Sequence, residues 1–234
     1  DTFIHPGYLN DKSNKHIPRF LGTRLSKDQF RELVDTIRSE GLIPLSTPFD
    51  ERSVDLIEEL DLPVIKVGSC SAMDRPLLLR VSQSGRPVIW SVGGLTFDEM
   101  DWTVNFLEKR AVHFAMMHCV GIYPTPDEEA NLNQIERMRQ AYRGITIGYS
   151  THEAPSDTTL VGLAYAKGAR MFEKHVGVET DVHKLNKYSA DPTQVRSWLE
   201  AWHKATRACG SEGERVVSER ERSDLRSLKR GVYV

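Results

Sequence analysis

The residues best suited to chemistry stand where short apolar segments end. Six such segments, rich in Val and Ile, begin near Leu42, Pro63, Pro87, Val112, Ile145 and Ala169. Polar side chains follow in each: Ser46-Thr47, Lys66 with Ser69, Ser91, His118-Cys119, Ser150-Thr151-His152 and Glu173-Lys174-His175. Segments of this kind are typical of buried parallel strands. Because the carboxyl ends of parallel strands build the rim of a barrel, we expect these side chains to form a site.

A phosphate group is the ligand that fits part of this set. Lys66 interrupts the apolar segment Val64-Ile65-Lys66-Val67, and a cation placed there needs a partner. Four hydroxyl side chains accompany it at strand ends: Thr47, Ser69, Ser91 and Ser150. One cation with four hydroxyl donors suits a phosphate. Any one of these hydroxyls could instead cap the following helix. The phosphate hypothesis therefore rests on the five residues together and not on a single hydroxyl.

Another part of this set of polar residues suits a metal ion. His152 and His175 follow neighbouring segments, and two imidazoles could bind a transition metal while leaving positions open for water or substrate. Glu173 shares a strand face with His175, which would bring a carboxylate beside the metal. Spacing alone leaves ordinary packing of these histidines open. For His118 a core or supporting role is favoured, and for Cys119 packing is favoured over nucleophilic catalysis.

Amphipathic segments that must position these residues lie between the apolar ones. Ser26 and Gln29 form a predicted capping box, and Thr96 with Glu99 forms another. Further helices are predicted over 53–60, 76–82, 127–142 and 157–167 and from Asp191-Pro192 onward. The first 25 residues are predicted to be a loop or arm, and 212–230 a solvated loop. The repeated β-α pattern indicates an α/β protein with a parallel sheet.

Two architectures compete for this pattern: an open doubly wound sheet and a (β/α)8 barrel. The sequence has neither a G-x-G-x-x-G segment nor a P-loop, which weakens the case for a nucleotide-binding open sheet. An open sheet would gather polar residues at one switch point, whereas here they follow all six segments. The barrel is therefore favoured, although six strands are two short of eight.

Composition narrows the function classes. The 234 residues are 39% hydrophobic and 27% charged, as in an ordinary globular protein. A net charge of −2 gives no large field of one sign, so neither a nucleic-acid partner nor a membrane surface is predicted. No apolar stretch approaches the roughly 20 residues that span a bilayer. Three cysteines without metal-type spacing favour a reducing compartment, and a cytoplasmic location is expected.

Five motifs in order resemble the catalytic domain of the sialic acid synthase (N-acetylneuraminate synthase) family. They are Leu45-Ser46-Thr47-Pro48-Phe49, Lys66-Val67-Gly68-Ser69, His118-Cys119-Val120-Gly121-Ile122-Tyr123-Pro124-Thr125-Pro126, Gly148-Tyr149-Ser150-Thr151-His152 and Glu173-Lys174-His175. The third is the most specific. The resemblance extends from about Ser26 to Val234.

The resemblance implies a (β/α)8 TIM barrel, of which this chain would carry strands three to eight. The expected organisation is an arm over 1–25 and a synthase barrel over 26–234, with the C-terminal antifreeze-like domain of the family expected to be absent. The implied reaction condenses phosphoenolpyruvate with an N-acylated aldose, typically N-acetylmannosamine. The products are a nonulosonic acid and phosphate, released by C–O cleavage.

By resemblance, the matching residues take specific roles. Thr47, Lys66, Ser69, Ser91 and Ser150 would hold phosphoenolpyruvate, and Tyr123 would contact the sugar. His152 and His175 would ligate a divalent metal, with Mn²⁺ expected and Mg²⁺ or Co²⁺ as alternatives. These two histidines, Lys66 and Glu173 form the predicted catalytic set. The family also implies a homodimer.

Three departures from the family pattern fall mainly on sugar positions. Ser71 stands where a Glu is usual, Gly121 where an Asn is usual, and 185–189 replaces a Gly-Pro-Asp motif. We therefore expect a divergent member with another acceptor sugar. The alternative is a non-catalytic relative that binds a sugar or phosphate. A third hypothesis is a synthase of deoxy-octulosonate or deoxy-heptulosonate phosphates, with Lys184 or Lys187 binding a phosphosugar.

Overall fold

The computed structural model describes Ser13 and residues 16–231, in which helices alternate with six strands. The helices are α1 (His16–Gly22), α2 (Lys27–Ser39), α3 (Glu51–Glu59), α4 (Arg75–Gln83), α5 (Phe97–Glu108), α6 (Asn133–Ala141), α7 (Thr159–Ala166), α8 (Pro192–Cys209) and α9 (Glu219–Arg226). The strands are β1 (Leu45–Ser46), β2 (Val64–Val67), β3 (Val88–Ser91), β4 (Phe114–Cys119), β5 (Thr146–Thr151) and β6 (Met171–Lys174). The α/β class is confirmed. The helices described here are all too short or too polar to cross a membrane.

The chain divides into two compact units, 1–119 and 120–234. In the first unit, strands β1 to β4 are parallel and pair in chain order, with Ile65 opposite Val88 and Val88 opposite Phe114. Its core includes the fully buried side chains of Ile65, Trp90 and Met116. These apolar contacts hold the strand ends that carry the predicted phosphate-binding residues.

In the second unit, β5 and β6 are parallel, with Ser150 opposite Glu173. Helix α8 packs on β6, where the ring of Phe172 lies 6.0 Å from those of Trp198 and Trp202. Since side chains alternate along a strand, Phe172 and Lys174 share the helix-covered face, and Glu173 lies on the other. Six parallel strands are consistent with part of a (β/α)8 barrel, and their numbering as three to eight stays a prediction.

Three predicted helix starts are confirmed as capping boxes. The side chains of Ser26, Thr96 and Asp191 each accept a hydrogen bond from the third helical residue, whose side chain accepts one in return. Each box satisfies backbone N–H groups that the helix itself leaves without partners. The starts of α2, α5 and α8 are thus determined locally.

Three segments differ from expectation. Residues 16–22 of the predicted arm form α1, in which Ile17 is buried, whereas 1–12 lie outside the described residues, as do 232–234. The helix predicted over 127–142 is a short 3₁₀ turn and then α6, separated at Asn131, whose φ of 48° is left-handed. The predicted loop 212–230 contains α9, which Ser218 caps.

Helices α3 and α4, on either side of β2 in the chain, are joined by an ion-pair cluster. The Arg80 guanidinium donates to Asp55 at 2.7 Å and to Glu58 at 2.5 Å. The hydrogen bond from Arg80 holds the pKa of Glu58 below its usual value, because it stabilises the ionised carboxylate.

This depressed pKa predicts an acid-sensitive contribution to stability. A carboxylate with a lowered folded-state pKa stabilises the protein above its unfolded-state pKa, and this is lost as the pH falls through the folded-state value. Glu58→Gln should therefore lower the free energy of unfolding at neutral pH and converge with the wild type in acid. Urea unfolding across the pH range measures the difference. Glu214→Gln, at an exposed carboxylate outside this cluster, is the control, and a pH-independent gap for Glu58→Gln would contradict the prediction.

Candidate active site

The first unit brings Lys66 and Ser91 into direct contact. Lys66 lies on β2 with 5% of its surface exposed, and Ser91 ends β3 with 2% exposed. The Lys66 Nζ donates a hydrogen bond of 2.7 Å to the Ser91 Oγ. An ammonium and a hydroxyl held together at neighbouring strand ends form a binding group for an anion such as phosphate.

Ser69 and Thr47 lie at the ends of β2 and β1. The Gly93 amide donates a hydrogen bond of 3.0 Å to the Ser69 Oγ. A Cβ on Gly93 would lie only 2.8 Å from that oxygen and 3.1 Å from the Cys119 carbonyl oxygen, so only glycine permits this approach. A Cβ on Gly68 would lie 3.7 Å from the Thr47 methyl group. The four predicted phosphate-binding residues of this unit thus lie in or just after its first three strands.

Three further side chains at strand ends of this unit are buried. Ser71 ends a short 3₁₀ turn over Ser69–Ser71 and is 6% exposed. His118 and Cys119 on β4 are also 6% exposed. Burial of Cys119 agrees with the predicted packing role, because a reactive thiolate needs access to its substrate.

In the second unit, His152 and His175 are neighbours. His152 directly follows β5 and is 5% exposed, and its ring centroid lies 5.2 Å from that of His175. The His152 Nδ1 lies 2.9 Å from the Val120 carbonyl oxygen. Because a carbonyl only accepts, Nδ1 carries the proton and the lone pair is on Nε2. A backbone carbonyl that fixes the tautomer in this way is characteristic of metal-binding histidines.

These two imidazoles fit a metal site that leaves positions open. Among the described residues, no group of three or more His, Cys, Asp or Glu side chains is arranged to hold a metal ion. Glu173 is half-buried and paired in register with the buried Ser150. If a metal binds here, His152 and His175 would be its ligands, and water or substrate would supply other positions.

Two tyrosines surround the imidazoles. The Tyr123 ring lies 4.1 Å from that of His152, and the Tyr188 ring lies 5.0 Å from that of His175 and 5.1 Å from that of Tyr123. Tyr123 is 51% exposed, so its ring can meet a ligand. Sequence reasoning predicted Tyr123 and missed Tyr188, although its position in the altered segment 185–189 was a usable signal. The aromatic faces could pack against the C–H groups of a sugar.

Comparisons with known proteins agree with these motifs. A structure from Chromobacterium violaceum, of a protein assigned to spore coat polysaccharide biosynthesis, is 45% identical with a TM-score of 0.94; it covers 99% of this chain and 69% of that one. The pseudaminic acid synthase of Helicobacter pylori is 29% identical over 97% of this chain and 67% of the relative.

The N-acetylneuraminate-9-phosphate synthase of Mus musculus is 28% identical over 82% of this chain. The match covers 53% of that enzyme, so this chain corresponds to about half of its length. The family model described as the NeuB family matches residues 7–214, which is most of the chain. The chain belongs to the NeuB family, whose members related to this chain include synthases of sialic, pseudaminic and legionaminic acids.

Proposed function

We propose that this protein condenses phosphoenolpyruvate with an N-acylated aldose, giving a nonulosonic acid and phosphate in a metal-dependent reaction. The observation that carries the proposal is the pair of imidazoles. The Val120 carbonyl fixes the His152 tautomer, and the ring centroids of His152 and His175 lie 5.2 Å apart. The named activities of the relatives support the same reaction class. Lys66 and Ser91 supply the anion-binding group that phosphoenolpyruvate requires.

The proposed chemistry assigns a role to each group. Lys66, with the hydroxyls of Ser91 and Ser69, binds the phosphate and neutralises its charge. When bound at His152 and His175, a divalent metal would supply Lewis-acid polarisation of the sugar aldehyde. The remaining residues of the proposed binding set are Thr47 and Ser150 for phosphoenolpyruvate and Tyr123 for the sugar. Glu173 provides a carboxylate on the strand face that His175 continues.

Bonds and electrons balance in this reaction. The alkene carbon of phosphoenolpyruvate attacks the aldehyde carbon and forms a C–C bond. The aldehyde oxygen takes up one proton, which is balanced by the proton released when water adds in the next step. Water then adds to the resulting oxocarbenium carbon. Collapse of that adduct breaks the bond between this carbon and the bridging oxygen, and phosphate leaves with the oxygen. No oxidant or reductant is required.

We infer that the acceptor differs from N-acetylmannosamine. The segment with Leu185 and Asn186 replaces the acidic sugar motif of the family, and Tyr188 from the same segment packs beside His175. An aromatic ring there favours an acceptor that presents an apolar face or an additional acyl group.

The first test is sugar-dependent phosphate release. With Mn²⁺, phosphoenolpyruvate and a panel of N-acylated hexosamines, one sugar should stimulate release above a no-sugar control. Lys66→Met should lower kcat/KM about a hundredfold, because a charged contact to the phosphate is lost. Lys109→Met, at an exposed lysine after α5, should leave the rate unchanged. Equal release with and without sugar would contradict the proposal.

Metal binding is tested separately from turnover. His152→Ala and His175→Ala should each weaken Mn²⁺ binding at least tenfold, roughly the loss that follows perturbation of a metal-site histidine. Electron paramagnetic resonance of free Mn²⁺ measures the affinity without substrate. His113→Ala, at an exposed histidine before β4, is the matched control. Unchanged affinity in both variants would exclude these ligands.

Gly93→Ala tests the phosphate-binding group through its backbone. The added methyl group would displace the Ser69 hydroxyl, because its carbon would lie 2.8 Å from that oxygen. The KM for phosphoenolpyruvate should rise about tenfold while Mn²⁺ affinity stays constant, and overpacking should cost about 1–3 kcal/mol of stability. Gly213→Ala, where no atom lies within 4 Å, should change neither quantity. An unchanged KM for Gly93→Ala would remove Ser69 from the binding set.

Ser71 is the observation that favours a second candidate, a non-catalytic phosphate- or sugar-binding relative. Its side chain is buried and provides a hydroxyl where the family pattern has a carboxylate. Such a protein would bind phosphoenolpyruvate and release no phosphate with any sugar. Ser71→Glu should then restore release, whereas turnover by the wild-type protein would eliminate this candidate.

A further inference from the structure

A buried ion pair lies behind the two imidazoles, on the helix-covered face of β5 and β6. The Lys174 Nζ lies 2.9 Å from the Glu153 Oε1, and the two side chains are 4% and 1% exposed. Glu153 directly follows His152, and Lys174 directly precedes His175. We propose that this ion pair is a positioning element that sets the distance and orientation of the two imidazoles.

The strand register shows where such an element acts. The last registered pair of β5 and β6 is Thr151 with Lys174, and both strands end there. His152 and His175 are the next residues in the chain, beyond that last pair. The bond between Glu153 and Lys174 joins the two segments at this point, because its members flank the two histidines. It thereby extends the connection between the strands past the backbone ladder.

Stability alone does not account for this pair. Removing two charges from water costs several kcal/mol per ion, and well-packed apolar residues often serve as well or better. Among the described side chains, the Glu153 Oε2 and the Thr151 Oγ1 are buried without a hydrogen-bond partner. Each such atom carries a desolvation cost of about 1–3 kcal/mol. A polar cluster kept at this cost next to a site is expected to serve geometry.

The ion pair is itself held by the helix layer. The Lys174 Nζ lies 5.7 Å from the centre of the Trp198 ring, a distance that permits a cation–π interaction. Trp198 is 6% exposed and also packs edge-on against Phe172. Helix α8 therefore restrains Lys174, Lys174 restrains Glu153, and Glu153 restrains the backbone that carries His152.

The test separates positioning from simple stabilisation. Glu153→Met and Lys174→Met each leave one buried partner unpaired, so both should lower the melting temperature. The double variant Glu153→Met/Lys174→Met keeps a similar volume, removes both charges and should recover most of that loss. Positioning predicts that its imidazoles nevertheless remain displaced. In metal-free protein labelled with ¹⁵N-histidine, the ring signals of His152 and His175 should shift in the double variant. Mn²⁺ affinity should stay about tenfold below wild type.

The control is Glu58→Gln, which perturbs the ion pair of the other unit and should leave the histidine signals and Mn²⁺ affinity unchanged. Wild-type ring signals in a folded double variant would overturn the proposal. The predicted loss of Mn²⁺ affinity rests on the proposed function, whereas the predicted shift of the histidine ring signals does not. If His152→Ala left Mn²⁺ affinity unaltered, the metal assignment would be wrong, and the metal-free ring signals would still decide whether the ion pair positions the imidazoles.

Discussion

The arrangement of this protein depends on one constraint: a parallel strand buried on both faces can present polar side chains only where its apolar segment ends. The strands of the first unit are filled by side chains such as Ile65, Trp90 and Met116, which exclude water. Lys66 is the exception within its strand, and its Nζ meets the Ser91 hydroxyl at the end of the next one. Each strand changes from apolar to polar residues at its carboxyl end. The groups able to do chemistry therefore lie in neighbouring positions.

In the second unit, the two imidazoles lie just past the last paired residues of β5 and β6 and must be held there. The β5–β6 ladder no longer joins them there, although the amides of Thr125 and Ala190 each donate a 2.9 Å hydrogen bond to the His152 and His175 carbonyl oxygens, respectively. Side-chain contacts must therefore orient the rings. The Val120 carbonyl fixes the His152 ring from one side, and the rings of Tyr123 and Tyr188 pack around both imidazoles. Behind them, Glu153 and Lys174 connect the two segments. This geometry comes from side chains and loops, so substitutions there can change the ligand without altering the strands.

The parts of the fold that were predictable from sequence are those set by local rules. The capping boxes at Ser26 and Thr96 and the helix start at Asp191 appear in the sequence as they do in the structure, because a cap involves residues only three apart. Lys66 was identifiable because a charge within an apolar segment is costly. The helix at 16–22 was missed because Pro18 and the turn formers that precede this segment predict a loop. The break at Asn131 was missed because its neighbours follow a helical pattern.

Long-range contacts were beyond the reach of sequence reasoning. Glu153 and Lys174 are 21 positions apart, and their pairing follows from strand register, which spacing does not reveal. The motifs predicted that His152 and His175 belong together, and the structure brings their rings to 5.2 Å. That they bind a metal is a proposal. The role of Tyr188 is also a proposal, and it rests on the packing of its ring against that of His175.

The central claim is that phosphate leaves phosphoenolpyruvate by C–O cleavage during condensation with a sugar. The most direct measurement uses phosphoenolpyruvate labelled with ¹⁸O at the bridging oxygen, with Mn²⁺ and the stimulating sugar. Our account predicts that the label appears in inorganic phosphate and that the organic product carries none of it. Label retained in the organic product would mean that the P–O bond breaks. The protein would then transfer or hydrolyse a phosphoryl group, and the condensation proposed here would be wrong.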